Sequence, residues 1–442
     1  MSRSPANLSN GEVGSFAALL RANRNYRNCW LGQVVSEIGD HFNSIAVLSM
    51  ALHLTGSGAT VGGVMLARVG PALLAAPLAG VVLDRMDRRR VMIASDLIRA
   101  AVAAAHLLLL VYPETWLIYS LSALLTFASP FFNSGRASIL PRLVPREALH
   151  AANALTQTTG WLTVAVGTML GGFSTSWLGY RGAFLINAAS FLWSAWAIST
   201  LRVDGGFAAA PSAKAGSSAT SGWTEFREGL AYIRRNPLIL GILLLGAGWA
   251  TGGGAAQILF TLFGETVFGK GPAGTGLIWG LAGFGLVGGG LLARKWESHL
   301  NFRLYKHTVT VTFLLHGLFY MMFSVAPDIW QAAAFIFLSR LCVAMNSVMN
   351  RTMLLLHVPD RLRGRVFTAA EGITNGVMML SMAAAAVAAG HYSPRQIGFV
   401  AGALSASTAV FWAWANAAEK LPEPQKDWQE PEGEFREPVT AA

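Results

Sequence analysis

Two carboxylates three residues apart, Glu37 and Asp40, are the residues with the clearest potential for chemistry in this sequence. They stand in a long apolar segment, and residues three apart share one face of a helix. Two neighbouring carboxylates in a low-dielectric medium resist being charged together, so one of them holds a proton more readily. Such a group can couple proton movement to another process. The alternatives are a structural ion pair with Arg68, at similar depth in the next apolar segment, and contact with a substrate.

The composition is that of a membrane protein. The chain has 442 residues, of which 53% are hydrophobic and 13% charged, whereas soluble domains carry roughly 25% charged residues. A run of about 20 apolar residues crosses a bilayer as a helix. About twelve such runs predict an all-α integral membrane protein with twelve transmembrane helices, near residues 28–54, 60–83, 91–112, 115–141, 151–178, 182–201, 237–264, 272–293, 307–325, 329–356, 366–390 and 396–417.

The twelve segments form two halves, separated by a longer polar stretch. Val144-Pro145 and Val358-Pro359 follow the fourth and tenth segments, so the halves repeat a pattern. Within the polar stretch, residues 223–235 have the spacing of an amphipathic helix, which we expect at the membrane surface. The predicted organisation is an N-terminal tail 1–27, six-helix bundles 28–201 and 237–417, a linker 202–236 and a C-terminal tail 418–442.

The basic residues are unevenly distributed along the chain. The net charge is +10, and most Lys and Arg fall in the two tails and in alternate loops. The opposite set of loops contains only Arg181, Lys270 and Arg395. This asymmetry is typical of the positive-inside rule, which predicts a multi-pass protein of the cell inner membrane with both termini cytoplasmic. The charge therefore favours membrane lipid, and not nucleic acid, as a partner.

A charged segment between the second and third apolar runs contains Gly80, Asp84, Arg85, Arg88 and Arg89. It resembles the loop signature between helices 2 and 3 of the major facilitator superfamily: Gly, three residues, Asp-Arg, two residues and then basic residues. The resemblance implies two related six-helix bundles that work by alternating access.

In that family the aspartate lies by the amino terminus of helix 11, where the helix dipole favours an anion and the contact closes the cytoplasmic side. The resemblance assigns this role to Asp84, against a plain solvated loop, and places the start of helix 11 near Arg365. Arg85, Arg88 and Arg89 would then anchor the loop to neighbouring carboxylates. Asp96 and Arg99, one turn apart in the third segment, are expected to join the same network.

Further segments resemble the branch of the family that contains the enterobactin exporter and macrolide efflux proteins. The resemblance spans roughly residues 20–420 and implies export. One departure is Thr168, which stands where proton-coupled drug antiporters carry the proline of a Gly-Pro motif. The matching segments are Asn25–Gln33 with Gly39-Asp40, Ser95–Ala100, Arg136–Pro145, Arg235–Pro237 and Arg363–Val366.

Several intramembrane polar residues are candidates for a substrate cavity. Arg340 is nearest the middle of its segment and could meet an anionic substrate, although pairing with another residue is the alternative. The neutral candidates have interhelical hydrogen bonding as their alternative role. The set is Arg68, Arg340, Asn43, Gln257 and Asn346.

No metal-ligand cluster, phosphate-binding Gly-Lys-Ser/Thr loop or Ser/His/Asp arrangement indicates an enzyme, a cofactor or a bound metal. The sequence therefore predicts a secondary active exporter, driven by proton antiport, of a small amphipathic molecule such as a siderophore or a drug. The alternatives are a lipid or lysophospholipid flippase and a non-transporting sensor on the same fold. We expect a monomer whose partners are the substrate, the proton and membrane lipid.

Overall fold

The computed structural model describes residues 16–203, 206–207, 219–297 and 301–423, and in these ranges the chain is almost entirely helical without strands. The helices are α1 (Phe16–Ala22), α2 (Arg24–Thr55), α3 (Gly58–Arg85), α4 (Arg88–Ala105, extended by a 3-10 turn to Leu110), α5 (Thr115–Leu143), α6 (Leu149–Ser199), α7 (Ala219–Arg235), α8 (Pro237–Leu262, extended by a π turn to Val267), α9 (Gly271–Glu297), α10 (Phe302–Val325), α11 (Ile329–His357), α12 (Asp360–Ala388) and α13 (Pro394–Ala417).

In the described part of the chain, ten helices are long and apolar enough to cross a membrane: α3 to α6 and α8 to α13. Helix α2 has 32 residues, about 48 Å at 1.5 Å per residue, but its charged residues lower its hydropathy. Helix α6 is broken at Gly179, whose φ of 68° and ψ of 179° belong to a backbone region that essentially only glycine adopts. With α2 and the two parts of α6, the helices provide twelve segments of spanning length.

The helix starts differ from the hydropathy prediction where the first turn is polar. Helix α12 begins at Asp360 and not at residue 366, so the predicted start of helix 11 near Arg365 was wrong. Helix α10 begins at Phe302, where the Asn301 side chain accepts a hydrogen bond from the Leu304 amide at 2.8 Å. Charged first turns lie outside the apolar window, yet their backbone hydrogen bonds continue the helix.

The helices form an N-terminal half (α2 to α6) and a C-terminal half (α8 to α13), with two distinct ends. We call the end that contains the α3–α4, α5–α6 and α11–α12 turns, and both ends of the described chain, the basic end. It includes the arginine-rich segment Arg85–Arg90. The other end, with the α2–α3, α8–α9 and α12–α13 turns, we call the opposite end. Both ends are defined by the turns that they contain, independently of which side of the membrane each one faces.

The two halves share a hydrophobic core only toward the opposite end. There Val47 and Val61 of the N-terminal half belong to one buried cluster with Phe260, Phe323 and Ala386 of the C-terminal half. Toward the basic end each half has a core of its own, one around Tyr26 and Met92 and the other around Tyr305 and Trp412. The molecule is therefore closed at the opposite end and parted at the basic end.

Close backbone approach makes the closed end possible. A Cβ built on Gly172 of α6 would lie 2.7 Å from the Cα of Gly276 in α9, and one built on Gly62 of α3 would lie 2.4 Å from the Cβ of Ala386 in α12. Only a glycine at one of the two positions, opposite another small residue, allows helices to pack at this separation. Gly172, four residues after Thr168, thus contacts a neighbouring helix directly.

Helix α7 packs against protein at the basic end, and its predicted position at the membrane surface stays a prediction. Ile233 is fully buried in the C-terminal basic-end core. Gly229 lies against the backbone carbonyl of Arg365, and Glu228 pairs with the Arg365 side chain. Trp223 remains exposed. The helix therefore covers the first turns of α12.

Candidate functional site

Glu37 is fixed by a chain of hydrogen bonds across the N-terminal half. The Gln33 Nε2 donates to one Glu37 carboxylate oxygen at 2.7 Å, and the Thr163 hydroxyl donates to the other at 2.9 Å. Arg136 in turn donates to the Gln33 Oε1 at 2.8 Å. Both carboxylate oxygens of Glu37 therefore have donors, and its orientation is set by α5 and α6 as well as by α2.

Asp40, one turn further along α2, has a different environment. It is half-buried and makes no hydrogen bond or ion pair with the described residues, although the charges of Arg99 and Arg68 act on it. Arg68 donates instead to the Ser44 hydroxyl at 2.8 Å. The direct Asp40–Arg68 ion pair that the sequence left open is not formed in this conformation. Both carboxylates lie about 20–24 Å along the roughly 48 Å helix, so both are near its middle.

Asp96 and Arg99 form a buried ion pair, with 0% and 3% of each residue exposed. The guanidinium of Arg99 also lies over two aromatic rings, 4.6 Å from the centre of Phe132 and 4.4 Å from that of Phe191. Cation–π contact on both faces holds the arginine in place. The pair ties α4 to α5 and α6.

The other residues of the charged hairpin have partners different from those expected. Arg88 donates to the Ser138 carbonyl at 3.1 Å, and Arg89 donates to the carbonyls of Ile198 and Ser199. These are backbone acceptors and not the carboxylates that the resemblance implied. The hairpin is thus held to α5 near its end and to the end of α6, whose last carbonyls lack helical partners.

Asp84 and Arg85 are exposed and have no partner in the described ranges, because the basic end is open. The first turns of α12 are covered by α7. Contact between Asp84 and the start of α12, which is helix 11 in the family's numbering, stays a prediction for a conformation closed at this end. Gly80 meets open space, so no steric contact in this conformation requires a glycine there.

A central cavity of about 270 Å³ lies between the two halves. Arg340 enters it from α11, with 8% of its surface exposed and its guanidinium 5.3 Å from the centre of the Phe260 ring. Gln257 is a second polar lining residue. The rest of the wall is largely aromatic and small: Trp161 and Val164 of α6, Trp249, Gly253 and Phe260 of α8, Trp279, Ala282, Gly283 and Leu286 of α9, and Val343, Ala344 and Ser347 of α11.

A second cavity of about 280 Å³ continues from the first toward the basic end. The two share Trp249, Val343 and Ser347. The second cavity is more polar, because Asn346, Asn350, Arg351, Glu371, Thr374 and Asn375 line it. Together the cavities form a path from the centre of the molecule to its open end along the C-terminal half.

The predicted cavity residues are not all in these cavities. Arg340 and Gln257 line the central cavity, and Asn346 lines the second one while bonding to the Val309 carbonyl and the Thr312 hydroxyl. Arg68 and Asn43 line neither of the two. Asn43 is 1% exposed, inside the N-terminal half. Sequence reasoning also missed the three tryptophans, because their spacing is equally typical of lipid-facing residues.

A polar contact joins the halves at the opposite end. The His53 Nε2 of α2 lies 3.4 Å from a carboxylate oxygen of Glu265, just beyond α8. The Tyr180 hydroxyl contacts the same imidazole through Nδ1 and lies 3.2 Å from the Ser49 hydroxyl. The predicted apolar segment 237–264 ends one residue before Glu265.

The described residues contain no cluster of histidine, cysteine or acidic side chains that could hold a metal.

Two helical halves around a cavity that is open at one end and closed at the other define the class of alternating-access membrane transporters. The sequence model of the Major Facilitator Superfamily matches residues 29–324 and 300–441, and the chain belongs to this family.

Relatives include transporters associated with efflux. The chain is 26% identical over 366 residues to the putative bacilysin exporter BacE of Bacillus subtilis, covering 81% of this chain and 88% of the relative. It is 23% identical over 364 residues to macrolide efflux protein A of Streptococcus pyogenes, covering 80% and 85%. The chain spans only 64% and 53% of the length of two other relatives, both uncharacterized transporters.

Solved structures support the same fold. The nucleoside transporter NupG superposes with a TM-score of 0.66 over 88% of this chain and 98% of its own, at 12% identity. At that identity the likeness concerns the fold alone.

Proposed function

We propose that the chain is a secondary active exporter that moves a small amphipathic molecule out of the cytoplasm by alternating access. The observation that carries the proposal is the central cavity between the halves, with an adjoining cavity of the C-terminal half that leads to the open basic end, while the opposite end is closed. The positive-inside rule places the basic end, and with it both termini, in the cytoplasm. In an inner membrane, the cavity would then load from the cytoplasm, and the names of the efflux relatives agree with this direction.

Proton antiport is the proposed source of energy, with Asp40 as its carrier. Asp40 is half-buried near the middle of α2 and has no hydrogen-bond donor among the described residues. Hydrogen bonds to a carboxylate stabilise its charged form. Both oxygens of Glu37 accept such bonds, so protonation costs more at Glu37 than at Asp40, which has no donor among the described residues. We therefore assign proton exchange to Asp40 and positioning to Glu37.

Comparison of metabolites in cells and medium tests the proposal directly. A strain without the gene and its complemented counterpart would be grown in iron-poor and iron-rich medium and analysed by mass spectrometry. Export predicts a compound that accumulates inside the deletion strain and falls in its medium. A compound seen only under iron starvation would identify a siderophore, and one seen in both media would favour a drug-like substrate.

Complementation with Asp40→Asn separates the two parts of the proposal. If the compound stays inside these cells although the protein reaches the membrane, both export and the role of Asp40 are supported. Normal export by Asp40→Asn would reject Asp40 as the proton carrier but leave export itself. An unchanged metabolite profile in the deletion strain would contradict export.

A lipid flippase is the second candidate, because a groove on the side of the C-terminal half is large and apolar. It has a volume of about 520 Å³ and is lined mainly by aliphatic residues of α8, α12 and α13, such as Leu380, Val400 and Leu404, all exposed. A flippase would admit an acyl chain there. Reconstituted protein should then move a fluorescent lysophospholipid between leaflets, measured by dithionite quenching, and absence of this activity would reject the candidate.

A further inference from the structure

Arg340 is a buried cation that the protein leaves without a counter-ion. It is 8% exposed, and no carboxylate lines the central cavity that it enters. It forms no ion pair or hydrogen bond with the residues that the structure describes, and its guanidinium lies over the face of Phe260. A charge held near the centre of a bilayer is costly, and such residues normally pair.

The polar groups around Arg340 are also unpaired. The indole N–H groups of Trp249 and Trp279, which line the same cavity, have no acceptor in the described ranges. The Gln257 amide in the cavity wall likewise bonds to none of the described residues. The Tyr320 hydroxyl, next to Arg340, also lacks a partner. Buried polar groups are almost always satisfied in proteins. Trp249, Gln257 and Trp279 line the same cavity as Arg340, and none of the described residues supplies an acceptor for the two indole N–H groups.

Other intramembrane arginines have compensation from the protein. Arg99 pairs with Asp96, Arg136 donates to Gln33, and Arg68 donates to Ser44 within the field of Asp40. Arg351 shares its cavity with Glu371. Among these, Arg340 combines deep burial with a cavity that contains no acidic residue, and this difference points to a ligand and not to a structural pair.

We propose that the central cavity binds an organic anion, a carboxylate or similar oxyanion on an aromatic or otherwise apolar body. The head group would accept charge-assisted hydrogen bonds from Arg340, and the Trp161, Trp249 and Trp279 rings would contact the body. This inference rests on the proposed function, because it takes the central cavity as the place where a transported molecule binds. It adds to that function the prediction that the transported molecule carries a negative charge.

A pair of matched probes isolates the charge. 1-Naphthoate and 1-naphthamide have the same ring system, and only the first is an anion at neutral pH. Equilibrium dialysis with the purified full-length protein would measure their affinities. We expect wild type to bind naphthoate about tenfold more tightly or better, the ratio that one charge-assisted hydrogen bond provides. Arg340→Gln should bind the two probes with equal affinity, because the preference for the anion is lost.

Two further variants sharpen the result. Arg340→Lys keeps the charge but not the planar fork, so it should retain a reduced preference for naphthoate. Arg351→Gln is the matched control: it removes a positive charge from the adjoining cavity and should leave the preference intact. Thermal unfolding would check each variant, and Arg340→Gln should unfold no earlier than wild type because the protein offers this arginine no anion.

Several outcomes would overturn the inference: wild type that binds both probes equally or neither, a preference that survives Arg340→Gln, or equal loss in Arg351→Gln. The proposed function fails independently. If the deletion strain shows no export but naphthoate preference depends on Arg340, the anion site stands and export falls. If a neutral compound is exported and no preference exists, export stands and the anion site falls.

Discussion

At the scale of single residues, similar side chains in this protein differ in what their surroundings provide. Glu37 and Asp40 share a face of α2, yet the first accepts two hydrogen bonds and the second accepts none from the described residues. A carboxylate whose charge is balanced by remote arginines alone can change its protonation without breaking a local network. This physical difference is the basis for distinguishing their roles.

Neutral substitution should therefore affect the two carboxylates differently. We expect Asp40→Asn to reduce proton-driven efflux of the native substrate by at least about tenfold, since about 1.4 kcal/mol of lost coupling already has that effect. Glu37→Gln keeps an acceptor for Thr163 and should retain a larger share of the activity. Efflux from cells with an imposed pH gradient would measure both.

Glu371→Gln is the control for these variants, because it neutralises a carboxylate that lines the open cavity nearer the basic end. It should leave the dependence on the pH gradient intact. Equal pH-driven efflux in wild type and Asp40→Asn would contradict the assignment of Asp40.

The buried Asp96–Arg99 pair should be essential for stability. Asp96→Asn leaves Arg99 buried without its carboxylate, and removal of one partner from a buried ion pair costs about 3–5 kcal/mol. The two flanking phenylalanine rings reduce this cost without supplying an anion. Thermal unfolding in detergent should show a clearly lower midpoint for Asp96→Asn.

Asp84→Asn is the matched control for Asp96→Asn, because it makes the same chemical change at an exposed site. Since Asp84 has no partner among the described residues in this open conformation, its substitution should leave the unfolding midpoint unchanged. Transport should nevertheless fall at normal surface expression, because the predicted contact of Asp84 with helix 11 of the family, which is α12 here, closes the basic end. Unchanged efflux would reject the gate role, and an equal loss of stability in both variants would contradict the buried-pair argument.

At the scale of helices, the sequence predicted most of what depends on local pattern. Apolar runs located most of the long helices within a few residues, and the charged hairpin identified the family because its spacing is specific. The start of α12 was wrong because hydropathy does not detect a polar first turn. The docking of α7 on α12 was not predicted, because an amphipathic face does not reveal whether lipid or protein covers it.

The candidate site was predicted only in part, for a related reason. Arg340 and Gln257 could be found because polar residues are rare in apolar runs. The arrangement of neighbouring helices determines that Arg340 lacks a counter-ion among the described residues, and it also determines the contact between His53 and Glu265. No pattern along one helix determines which side chains of distant segments meet there.

The α6–α9 contact should be sensitive to a single methyl group. A Cβ on Gly172 would lie 2.5 Å from the carbonyl oxygen of Pro272, whereas one on Gly160 of the same helix meets nothing within 4 Å. We expect Gly172→Ala to lower the unfolding midpoint and to impair efflux, since the backbones must separate. Gly160→Ala should keep or raise the midpoint, because alanine favours the helix by about 1 kcal/mol. Equal shifts in both variants would show that packing at the closed end is not limiting.

At the scale of the whole molecule, the distribution of core packing identifies the conformation and what must change. The shared cluster at the opposite end has to divide, and the separate clusters at the basic end have to approach, for a bound molecule to leave on the other side. The His53–Glu265 contact would break in that step. Because each half has a core of its own, the halves can move as units while the cavity changes its opening.

A disulfide across the opposite end should therefore stop transport reversibly. A Cβ on Gly58 of α3 would lie 2.8 Å from the Cβ of Ala389, next to α12. Disulfides need roughly 3.5–4.5 Å between these atoms, so a separation of about 1 Å between the helix ends is sufficient. The native Cys29 and Cys342 are buried, so they are poorly placed to form disulfides with the introduced cysteines. The Gly58→Cys/Ala389→Cys double variant should lose efflux on oxidation and regain it on reduction.

The single variants Gly58→Cys and Ala389→Cys control for the substitutions themselves and should respond to neither treatment. Binding of naphthoate to the oxidised double variant adds a second measurement, because a lock at the closed end leaves the basic end open. Binding without transport would mean that entry needs no movement at the opposite end but release does. Full efflux by the cross-linked protein would contradict alternating access, since the helices α3 and α12 could then never have separated.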